Sequence, residues 1–176
     1  MARLLVVDDK QAMREMLEFR LTRKGHAVQL AGDPVAALRG MARVARPGGL
    51  IGVVVWGPPA QCESGVMFKE LGPLLPPAPP DAPGAVAWSE EGQLEKLAAA
   101  AGLIPVIVAD VPNPLIYPDL ATAVRTQLSS GPARAAITHS GLPAVRGALT
   151  RAFAGSRKPD GSYRQDNVFR YLIASA

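Results

Sequence analysis

The sequence predicts an α/β fold: a three-layer sandwich in which helices cover a mostly parallel sheet of about five strands, with an antiparallel strand at the C-terminus. Three observations predict it. Apolar runs of strand length alternate with helical stripes, the order that favours right-handed crossovers and parallel pairing. Two of those runs, Leu4 to Val7 and Leu50 to Trp56, are nearly continuous, as expected of central strands covered on both faces. The closing run, Val168 to Ala174, follows the turn Pro159-Asp160-Gly161 and alternates Phe169, Tyr171 and Ile173 with Val168, Arg170 and Leu172. It reads as a strand returning to the sheet. The 176 residues, 48% of them apolar, suffice for one domain with a substantial core.

The elements follow in order. Gln11 to Lys24 places Met13, Met16, Leu17 and Leu21 on one helical face, and Gly25 is positioned to cap it. Ala27 to Leu30 is the second strand. Asp33 before Pro34 is an N-cap signal, and Val35, Leu38, Ala42 and Ala45 carry an apolar stripe until Arg46-Pro47-Gly48-Gly49 stops it. The strand Leu50 to Trp56 comes next. Pro73 to Pro83 has no periodicity and reads as an extended loop. Its P-x-x-P spacing would also suit a protein partner that binds polyproline. Ser89 is placed to cap a helix through Leu94, Leu97 and Ala101, and the strand Ile104 to Val111 follows. Further helices are predicted from Asp119 to Leu128 and from Pro143 to Phe153.

The formal charge of +4 does not mark a nucleic-acid surface, because the basic residues are scattered and Arg14, Arg20, Arg23 and Lys24 alternate with Glu15 and Glu18. Cys62 is the single cysteine, so an internal disulfide is excluded and a cytoplasmic setting is expected. No apolar run approaches membrane-spanning length, which predicts a soluble protein with no membrane partner.

Groupings that could do chemistry are sparse. Asp8 and Asp9 end the first strand side by side, and paired carboxylates suit a hard cation such as magnesium, though only weakly here. They equally favour the N-terminus of the helix that follows. His26 and His139 lack partners at metal-ligand spacing, and Ser140 beside His139 has no nucleophile elbow around it. Trp56 and Tyr117 stand at strand ends where a substrate pocket could form, and as large aromatics they serve equally as packing residues.

Two resemblances rest on these residues. Residues 1–32, with LLVVDDK, an amphipathic helix and HAVQLA, resemble the opening of a response-regulator receiver domain. The resemblance implies that Asp8 and Asp9 hold magnesium. Where that family carries its phospho-accepting aspartate this chain has Trp56, and an indole cannot accept a phosphoryl group.

Residues 33–176 resemble the closing half of a class I S-adenosylmethionine-dependent methyltransferase. The carriers are the helix, Pro-Gly-Gly turn and strand in DPVAALRGMARVARPGGLIGVVVWG, then SEEGQLEKLAAAAGL, IPVIVADV and NVFRYLIASA. The resemblance implies a Rossmann-like sheet, S-adenosylmethionine as cofactor and a small-molecule methyl acceptor. The family's Gly-rich cofactor turn is absent after the first strand, which continues Asp8-Asp9-Lys10-Gln11. The two segments are expected to pack as one domain, with Leu4 to Val7 beside Leu50 to Trp56. Three functions follow in different classes: methyl transfer, a degenerate signalling module, and a non-catalytic interaction domain.

Overall fold

The computed structural model describes residues 3–7, 22–23, 27–31, 33–77 and 87–176. The predicted helix Gln11 to Lys24 apart from residues 22–23, most of the Pro-rich segment, and Asp8, Asp9 and His26 lie outside them.

Strands β1 (Arg3–Val7) and β2 (Ala27–Ala31) precede helix α1 (Pro34–Val44), strand β3 (Leu50–Trp56) and helix α2 (Gly65–Leu71). Helix α3 (Gln93–Ala100) leads to strands β4 (Ile104–Pro112) and β5 (Leu115–Tyr117). Helices α4 (Leu120–Gln127), α5 (Gly131–Ser140) and α6 (Leu142–Ala152) are followed by strands β6 (Tyr163–Gln165) and β7 (Val168–Ser175).

The α/β class holds, but the single mostly parallel sheet of five strands does not. The described strands form three small sheets, ordered β1-β2, β3-β7-β4 and β5-β6. β1 and β2 pair in parallel from Arg3 opposite Ala27 to Val7 opposite Ala31. The β3-β7-β4 sheet is antiparallel. Gly48 donates to the carbonyl of Ala176 (3.1 Å), while Gly57 donates to that of Val168 (2.8 Å), so β7 descends as β3 ascends. Leu4 to Val7 therefore pairs with β2 and not with β3. A continuous apolar run shows that a strand lacks polar side chains, but it does not choose the strand's neighbour. Leu50 and Val54 of β3 are in fact exposed, so this strand is not covered on both faces.

The chain divides into two compact units. The first comprises Met1–Val54, Glu90–Ala109 and Tyr171–Ala176. Here Asp33 caps α1 as predicted, its carboxylate accepting from Val35 N–H at 2.9 Å. Gly48 makes the following turn with φ +71°, a conformation that costs glycine nothing. Ala37 and Leu38 of α1 and Leu94 and Ala98 of α3 are buried. Arg39 donates to the Ala100 carbonyl at 2.8 Å, a cation at the C-terminal end of α3 where the helix dipole favours one. Gly92, with φ +76°, occupies the N-cap of α3, so Ser89 does not cap this helix.

The second unit comprises Val55–Ser89 and Asp110–Arg170, and its core is helical. α6 is central to it, packing against α2, α4 and α5. Ala133 and Ala136 of α5 and Ala148 of α6 are fully buried, which lets the helix backbones approach closely, and Leu149 and Phe153 fill the space beside them. Sequence periodicity missed α5, although Ser130 before Gly131-Pro132 is a legible start signal: its hydroxyl caps Ala133 N–H at 3.4 Å. No described helix is long and apolar enough to cross a membrane.

Candidate functional site

A grouping of buried polar and aromatic side chains lies in the second unit, where β3 ends and β7 begins. Gly57 follows Trp56 and donates to Val168, and a Cβ at Gly57 would sit 2.6 Å from the Val168 carbonyl oxygen. Only glycine permits that approach. The chain then turns through Pro58-Pro59 to Cys62, whose buried thiol lies 3.4 Å from the same carbonyl. Cys62 is packed in the protein, in keeping with a small buried residue.

Ser64 and Asn167 are both almost fully buried, and together they tie the start of α2 to the entry of β7. The Asn167 amide oxygen accepts from the Ser64 N–H (3.0 Å) and hydroxyl (2.6 Å), and its amide nitrogen donates to the Gln165 carbonyl (3.0 Å). Asn113 N–H closes the group on the Asn167 carbonyl at 2.7 Å. Every one of these polar atoms has a partner, as burial requires. The exception is Gln165 Oε1, which is buried with no protein partner among the described residues.

Above this group Arg170 grips Asp110 by two parallel hydrogen bonds of 2.7 and 2.8 Å and donates a third, of 2.7 Å, to the Ser89 carbonyl. The Arg170 hydrogen bonds hold the Asp110 carboxyl below the usual carboxylate range, against a smaller opposing effect of burial. This is a clasp between a residue of β4 and a residue of β7, and it also holds the Ser89 carbonyl.

Trp56 meets Phe169 edge-on at 4.9 Å and Phe68 at 6.0 Å, so neighbouring rings already contact it. Tyr117 belongs to a second aromatic group with Phe153 and, through it, Tyr163, and its hydroxyl accepts from Gln127 at 2.8 Å. The two suggested pocket residues thus serve separate packing groups. His139 is exposed in the last turn of α5, and the Ser140 hydroxyl donates to the Leu74 carbonyl at 2.9 Å, so the pair forms no nucleophile and base. Among the described residues no three His, Cys, Asp or Glu side chains converge as a metal site. The suggested magnesium ligands, Asp8 and Asp9, lie outside the described residues.

The grouping is therefore rich in amide and hydroxyl contacts and poor in titratable chemistry. It holds one buried thiol set against two backbone carbonyls and, among the described residues, one unmet acceptor. The residues that sequence reasoning missed, Ser64, Gln165 and Asn167, are polar positions scattered along the chain that no motif links.

No protein-family model matches the chain, and no curated protein matches it in sequence. Solved structures overlap it more loosely. A candidate methyltransferase from Bacillus halodurans C-125 is 9% identical over 98% of this chain and 82% of its own, with a TM-score of 0.42. The YcgJ protein of Bacillus subtilis is 16% identical over 97% and 81%, with a TM-score of 0.45. A candidate sarcosine dimethylglycine methyltransferase from Galdieria sulphuraria is 13% identical over 94% and 68%, with a TM-score of 0.30. Overlaps at this level carry no functional weight by themselves.

Proposed function

We propose that this chain is a methyltransferase-type domain of the S-adenosylmethionine-dependent lineage that lacks a complete cofactor site. The observation that carries the reading is the order of elements after Asp33. A capped helix, a Gly48-Gly49 turn, β3, α3, β4 and an antiparallel β7 follow one another as the resemblance in residues 33–176 implies.

The residues present do not fit the cofactor. Binding it needs a glycine turn that opens backbone toward the ligand, and the glycine that follows β3 is closed by Val168. Gly48 precedes a strand, and Gly92, Gly102, Gly141 and Gly161, which also have positive φ, lie in turns and at helix ends, none of them between a described strand and the helix directly after it. We therefore derive no methyl transfer through these residues. Calorimetric titration of the purified chain with S-adenosylmethionine and S-adenosylhomocysteine tests the reading. Neither should bind at micromolar concentration, since that affinity requires about 8 kcal/mol that no described group supplies. A one-site isotherm in the low micromolar range would restore a working enzyme.

A non-catalytic interaction domain is the second reading. It is favoured by β4, whose residues from Ile104 to Val108 are apolar and exposed.

A further inference from the structure

We draw no further inference here: the strongest candidate, the buried Gln165 side-chain oxygen at the Ser64–Asn167 cluster where β6 leads into β7, belongs to the site already described, and nothing among the described residues shows what would bind there.

Discussion

The helical core around α6 and the strand β4 are both built of apolar residues, yet one hides them and the other does not. In the core, Ala133, Ala136, Val145, Ala148, Leu149 and Phe153 have no exposed surface. In β4, Ile104, Val106 and Ile107 each keep about half their surface or more in water. The difference lies in what each element can meet. Small residues on α5 and α6 let two helices close on each other, so every apolar side chain acquires neighbours on several sides. An edge strand has a bonded neighbour on one side only, and its side chains depend on layers above and below that β4 lacks among the described residues.

The largest expected effect breaks the buried side of this comparison. Phe153→Ala removes a fully buried ring that contacts Tyr117 at 5.6 Å and Tyr163 at 6.3 Å, and it should cost about 3–5 kcal/mol in urea unfolding. A loss below about 1 kcal/mol would mean that the core is not packed as described.

Next is the clasp between β4 and β7. Asp110→Ala strands two donors of a mostly buried arginine and should cost about 1.5–3 kcal/mol at neutral pH. The pH dependence has a definite sign. Because the folded carboxyl titrates below its ordinary value of 3.8, its contribution is fully present above that pH and is lost as pH falls through the lower, folded value. Wild type and variant should therefore converge in stability on acidification below pH 3.8, and parallel curves there would remove Asp110 as the cause.

A smaller effect is expected at the start of α1. Asp33→Ala deletes the acceptor for Val35 N–H and should cost about 1 kcal/mol, read as a lowered thermal midpoint. The smallest completes the comparison. Ile104→Ala, on a side chain 69% exposed, should change stability by less than about 0.5 kcal/mol in urea unfolding. A variant destabilised as strongly as by Phe153→Ala would show that β4 is covered after all.

Local signals were read well from sequence. The Asp33-Pro34 start of α1 and the span Leu50 to Trp56 appear where they were predicted. Asp119, at the head of its predicted helix, caps α4 by accepting from Thr122 N–H at 2.7 Å. Asp160 accepts from Ser162 N–H at 2.9 Å in the Pro159-Asp160-Gly161 turn. Each depends on residues within one turn of one another, so chain order carries the information. The helix cap assigned to Ser89 was wrong: α3 starts at Gln93 with Gly92 at its N-cap, and the Ser89 carbonyl accepts from Arg170, 81 residues away. The Ser64–Asn167 bond joins residues 103 apart, and no spacing rule reaches that far.

The sequence by itself determined the α/β class and most helix starts and turns, because these follow from side-chain chemistry acting on nearby backbone. Only the tertiary structure decided which strands pair, that Trp56 and Tyr117 serve separate aromatic groups, and that Ile104, Val106 and Ile107 stay exposed. Those outcomes depend on hydrogen bonds and packing between distant segments, where many partners are chemically equivalent and geometry alone selects one.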